Sequence, residues 1–135
     1  MVEHEIRLIG PWDSTKDGGA SWNRCVVPLD VASLDLHPEQ CVWLRRKFNQ
    51  PSGLTATADL RLTISASYPP QVVLLNDSPI EIVSRIAGDD QILILTTAGI
   101  LPVLKPHNQL VLRWQAGEVP VLEQARLQIL TPDPA

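Results

Sequence analysis

The run Asp59–Tyr68, DLRLTISASY, changes character at every second residue. Leu60, Leu62, Ile64, Ala66 and Tyr68 alternate with Asp59, Arg61, Thr63, Ser65 and Ser67. Successive side chains of an extended chain point to opposite faces, so this period of two predicts a strand with one dry and one wet side. It is the middle of three strands expected between Cys41 and Ile80. Asn49-Gln50-Pro51-Ser52-Gly53 forms the first turn, and Pro69-Pro70 closes the alternating strand. Val72-Val73-Leu74-Leu75 is apolar on both sides, which places it in the middle of a sheet, covered on both faces. Asn76-Asp77-Ser78-Pro79 predicts a tight turn, since Asn and Asp best tolerate the left-handed backbone among non-glycine residues.

The rest of the chain follows the same grammar. Glu3–Ile9 reads as a first strand with Ile6 and Leu8 inward, stopped by Gly10-Pro11, after which Trp12 folds back as a lid over the core. Asp13–Gly19 is a polar, glycine-ended loop, and Ser21–Pro28 a second strand. Leu29–Gln40 reads as a loop with one helical turn. Strands are expected at Ile80–Ile86, Gln91–Thr97, Gln109–Gln115 and Val121–Leu130, with Ala98–Leu104 a crossover that holds at most a short helical turn. Eight or nine short strands, frequent turns and no long amphipathic helix predict an all-β fold, an antiparallel β-sandwich of the jelly-roll kind. One domain spans 1–135, with its core over roughly 3–131.

Composition narrows the function classes. A Leu-, Ile- and Val-rich chain with 4% aromatics suits packed sheets. A net charge of -4 and eleven scattered Lys and Arg give no basic stripe for phosphates, so neither nucleic acid nor an anionic membrane is an expected partner. Arg45-Arg46-Lys47 lies in a strand and splits between two faces. No export signal and no apolar run approaching the ~20 residues needed to span a bilayer are visible, so a cytoplasmic location is expected. Without an export signal, Cys25 and Cys41 are expected to be free, partly buried thiols, although a bridge would contribute about 3 kcal/mol.

Candidate chemistry is sparse. His4, His37 and His107 lack the close spacing of paired ligands, so no metal and no cofactor are expected. Asp13 and Asp17 lie in a loop without the fixed carboxylate offsets of a calcium site. No nucleophile elbow, phosphate loop or dinucleotide fingerprint occurs, and no acid stands alone in an apolar run, so no catalytic residue is assigned. The tryptophans remain, because indole is a flat apolar platform with a polar handle. Trp114 shares parity with Leu110 and Leu112 and belongs to the core. Trp22 and Trp43 are less clearly buried, and Trp43 shares a face with Arg45, where a stacking plane beside a donor fork would suit a ligand. On the other face of that strand Arg46 falls beside Leu44 and Phe48, with its stem packed and its head expected at the rim of the core.

Three stretches taken in order carry a resemblance: WLRRKFNQP at Trp43–Pro51, VVLLNDSPI at Val72–Ile80 and LKPHNQLVLRW at Leu104–Trp114. The chain resembles the N-terminal sugar-binding domain of β-galactosidase, β-glucuronidase and β-mannosidase glycoside hydrolases, a galactose-binding-like jelly roll. Asp77 stands where that pattern has glycine, and Pro106-His107-Asn108 is one residue shorter than its loop. The catalytic barrel of those enzymes has no counterpart in the chain, so the resemblance carries over no catalytic acid. It implies a non-catalytic binding module with a carbohydrate ligand, bound at a loop end of the sandwich or on the face bearing Trp43 and Arg45, with Trp22 a further candidate contact. The alternative is a structural module that self-associates into a homo-oligomer or docks on a larger protein partner.

Overall fold

A computed structural model describes residues 2–34, 39–55, 57–118 and 120–130. The alternating run forms β6 (Asp59–Ala66), with Leu60, Leu62, Ile64 and Ala66 wholly buried. It lies at the centre of a six-stranded sheet, between β12 (Val121–Leu130) and β10 (Leu93–Thr97). β1 (Val2–Arg7) and β4 (Leu29–Asp30) both pair with β12, and β9 (Ile82–Ala87) closes the far side on β10. The second six-stranded sheet runs β3 (Asn23–Cys25), β2 (Trp12–Thr15), β5 (Trp43–Asn49), β11 (His107–Arg113), β7 (Val72–Leu75) and β8 (Ser78–Pro79). Every pairing is antiparallel.

The expected sandwich is therefore present, with twelve strands among the described residues where eight or nine were predicted. The difference comes from pieces of two to four residues, β2, β4 and β8, which are too short to show a period, while β3 keeps only the middle of the predicted strand Ser21–Pro28. Between the sheets, Leu60, Leu62, Ile64, Leu95, Leu122 and Leu127 meet Trp12, Leu44, Val73, Leu75, Leu110, Leu112 and Trp114. Burying side chains of this kind stabilises by roughly 1.5–3 kcal/mol each. Both core indoles keep their polar handle satisfied: Trp12 Nε1 donates to Leu8 O at 2.8 Å and Trp114 Nε1 to Tyr68 O at 2.9 Å.

Several expectations change. Trp12 is buried inside strand β2, so it belongs to the interior and not to a lid. The wet side of β6 is dry at Thr63 and Ser65, 2% and 3% exposed, because their short side chains are flanked in register by Arg126, Gln124, Thr96 and Ile94. Tyr68, assigned to the dry side, lies past the end of the strand and is exposed. β7 lies next to the sheet edge rather than in the middle, with only two-residue β8 beyond it, and Val72 and Leu74 are half-buried. The Asn76-Asp77 turn does adopt the predicted left-handed backbone, with φ of 52° and 67°, and it joins β7 to β8 as a two-residue hairpin. Asp35, Leu36, His37 and Pro38, within the predicted loop, lie outside the described residues; before them Val31–Leu34 makes one 3-10 turn.

Candidate functional site

Alternation along β5 sends Trp43, Arg45 and Lys47 outward and Leu44, Arg46 and Phe48 inward. On the outward side each residue meets a neighbour across the sheet rather than along its own strand. Arg45 lies opposite Asp13 in β2, and its Nη2 donates to Asp13 Oδ2 at 3.2 Å. The same guanidinium stacks over the Trp22 ring, 4.0 Å from its centroid. Trp43 lies opposite Arg113 in β11, whose guanidinium covers that ring at 5.0 Å. The three sequence-predicted ligand residues thus share one sheet face, but Arg45 is joined to Trp22 and not to Trp43. Two ring–guanidinium stacks stand side by side, and in each the cation faces the electron-rich ring.

Trp22 is held by the loop before it. Asp17 accepts from Thr15 Oγ1 at 2.6 Å and from Ser21 Oγ at 2.7 Å and N at 3.0 Å, tying the loop to itself. These hydrogen bonds, Thr15 first and Ser21 next, hold the Asp17 carboxyl well below the usual carboxylate range. The two aspartates of this loop are turned to protein partners, Asp13 to Arg45 and Asp17 to Thr15 and Ser21. Cys25 and Cys41 are free thiols, and burial pushes the Cys25 thiol up from its ordinary value.

The inward side of β5 leads to a concave site. Beyond Leu44 the strand outruns the packed core, and Arg46 and Phe48 face a cleft of about 750 Å3. Its apolar floor is Ile6, Leu8, Phe48 and Leu127; its polar lining includes Arg46, Asn49, Asn76, His107, Asn108 and Gln109. The amides are fixed by a network. Asn76 Nδ2 donates to Asn108 Oδ1 at 2.9 Å and to Val103 O at 3.0 Å, and Asn76 Oδ1 accepts from Gln109 N at 2.9 Å. Asn108, 3% exposed, accepts from Lys105 N at 2.8 Å and donates to Lys105 O at 2.7 Å. One amide pair therefore ties the β7–β8 hairpin, the loop before β11 and β11 itself to the cleft wall. Asn49 Oδ1 and His107 Nδ1 lie 3.0 Å apart at the rim.

Arg46 reaches the rim as expected, with its Nε donating to Ile9 O at 2.9 Å and its Nη1 to Lys47 O. Desolvation lowers its pKa from the ordinary guanidinium value. Sequence reasoning placed Arg46 on this face but did not join it to Ile6, Leu8, Asn76, Asn108 or Leu127. Asn76 and Asn108 stand within the stretches that carry the family resemblance, and that position was the only available signal. Among the described residues no three His, Cys, Asp or Glu side chains converge as a metal site requires. No helix among them is long and apolar enough to cross a membrane.

No family model matches the chain, and no curated protein does. Among solved structures it is similar to a β-D-mannosidase from Dictyoglomus thermophilum, with a TM-score of 0.58 at 12% identity. The likeness covers 84% of this chain and 16% of that chain, so this protein matches a small part of a much longer enzyme. At that identity the likeness shows the fold: a two-sheet sandwich of the kind found within such an enzyme.

Proposed function

We propose that the protein is a non-catalytic carbohydrate-binding module and that the sugar is seated in the cleft beneath Arg46. The observation that carries this is the lining: an apolar floor with one aromatic ring, ringed by planar amide and guanidinium groups. A sugar is amphipathic in the same way. Its C–H face packs on apolar or aromatic surface while its hydroxyls exchange paired hydrogen bonds with planar donors and acceptors. The Asn76–Asn108 pair spends its hydrogen bonds on the protein and so fixes the cleft wall before any ligand arrives, which lowers the ordering cost of binding. Similarity in fold to part of a β-D-mannosidase supports a sugar ligand, and the family resemblance read from the sequence points the same way. Trp22, Trp43 and Arg45 form a second candidate contact surface on the outward face of the sheet. Isothermal titration against a panel of neutral and charged oligosaccharides tests the reading. Binding that is lost in Asn76→Ala and kept in Trp43→Ala supports the cleft, binding lost only in Trp43→Ala moves the site to the outward face, and silence across the panel removes it.

A second reading, a module that self-associates or docks on a protein, is favoured by β9. That strand pairs on one side only and exposes Val83 and Ile86, 50% and 58% accessible, in the manner of an edge open to another strand. Light scattering separates the two: a concentration-dependent dimer abolished by Ile86→Lys favours docking, and a monomer at all concentrations leaves sugar binding.

A further inference from the structure

We infer that the cleft selects an anionic glycan, one whose sugar rings carry carboxylate or sulfate groups. This rests on the carbohydrate reading and adds the charge of the ligand to it. Three observations point there together. Among the described residues the lining includes Arg7, Arg46, Lys47 and His107 and no Asp or Glu, in a chain that has fifteen acids to eleven Lys and Arg. An acid-rich protein has thus kept its described carboxylates out of this cleft.

The charge that faces inward is also uncompensated. Arg46 is half-buried and, among the described residues, is bonded to the carbonyls of Ile9 and Lys47 and to no acid. The carboxylates elsewhere go to other arginines: Asp13 to Arg45, Asp59 to Arg61, and Glu5 to Arg126. Register partners share a face, so Arg7 stands with Glu5 and Arg126 on the outward side of that strand pair and meets the cleft at its rim. A guanidinium taken partly out of water without an anion is costly, and a ligand anion would restore the missing half of the pair. Burial lowers the Arg46 pKa, as expected for a cation that has lost solvent without gaining a counter-ion.

The cations are also arranged to act on one ligand. Arg46 reaches the rim from the inward side of β5, while Arg7 and Lys47, at outward positions of β1 and β5, line the rim beside it. A low-dielectric wall focuses their field into the cleft, and charge-assisted hydrogen bonds are roughly twice as strong as neutral ones. The Ile6, Leu8, Phe48 and Leu127 floor gives a bare inorganic anion nothing to pack against, whereas a sugar ring that bears the charge uses both parts.

The test titrates the full chain with a uronate trisaccharide, with its carboxyl-reduced neutral counterpart, with a sulfated disaccharide, and with inorganic sulfate. The expected result is that the charged sugars bind roughly tenfold or more tightly than the neutral one. That preference should fall with added salt and shrink in Arg46→Gln and in Lys47→Gln, the second being an exposed position where folding is not at issue. The arms with carboxylate and with sulfate identify which anion the cleft takes, and either supports the inference. Equal binding of charged and neutral sugars, unchanged in both variants, overturns the inference and leaves the carbohydrate reading standing. Binding by no sugar overturns both. Inorganic sulfate binding as tightly as the charged sugars shows that the ring contributes nothing and also overturns both.

Discussion

Arg45 and Arg46 are adjacent in sequence and opposite in circumstance. Arg45 points outward, where Asp13 accepts from it at 3.2 Å and the Trp22 ring lies flat beneath it at 4.0 Å. Arg46 points inward, half-buried, and among the described residues finds backbone carbonyls alone. The first arginine has an acid and a ring supplied by the protein, although its Nε is buried without a partner among the described residues. The second has no acid beside it among them and keeps its charge for something that enters the cleft. Strand geometry alone separates them, because the pleat turns one residue to each face of β5. A double arginine in a strand is therefore two unrelated features, and only the inward one lines a cavity.

The comparison can be broken first at the residue between Trp43 and Arg45. Leu44→Ala should destabilise the protein by about 2–5 kcal/mol in urea titrations, since Leu44 is wholly buried and anchors the strand that carries both arginines. A loss below about 1 kcal/mol would mean that the inward side of β5 is not core, and the two faces would lose their meaning.

Next, Asn108→Ala should cost about 1–3 kcal/mol and abolish sugar binding, because the Lys105 amide loses its acceptor and Asn76 Nδ2 keeps only Val103 O of its two. Equilibrium unfolding and titration calorimetry read the two effects separately. Arg46→Gln should lower affinity for a charged sugar roughly tenfold, while Arg45→Gln leaves affinity unchanged and costs at most about 1 kcal/mol of stability, as part-exposed ion pairs do. The opposite pattern would exchange the roles assigned to the two arginines.

The smallest effect concerns the loop that carries Trp22. Asp17 has its folded-state pKa depressed, so its contribution to loop order is full above the ordinary carboxylate value of about 4 and fades only as pH falls through the depressed value. Near-ultraviolet circular dichroism of Trp22 on Arg45 should therefore persist through pH 4 and decline below it, and Asp17→Asn should weaken the signal at neutral pH. A transition centred at the ordinary value would show that Thr15 and Ser21 do not hold the carboxylate.

The legible part of the fold was the part with a long period. Leu60, Leu62, Ile64 and Ala66 announce their strand and its inward side, and Asn76-Asp77 announces its hairpin by residue type. β4 and β8 are two residues long and have no period to read. The site was legible only in fragments. Trp43 and Arg45 share a face, but residues two apart along a strand lie about 6.7 Å from each other, whereas cross-strand neighbours lie nearer. Each therefore found its partner on another segment, Trp43 in Arg113 of β11 and Arg45 in Asp13 of β2 and in Trp22 just before β3. The cleft was less legible still. It exists because Ile6, Phe48, Asn76, Asn108 and Leu127 converge from five stretches of chain, and no local pattern records a convergence of that range.

Mapping amide chemical shifts while a uronate trisaccharide is added tests the placement of the sugar most directly. Perturbation concentrated at Ile6–Leu8, Arg46–Asn49, Asn76 and His107–Gln109, with Trp22 and Trp43 unmoved, is the predicted result. Shifts confined to Trp22, Trp43 and Arg45, with the residues under Arg46 silent, would contradict it.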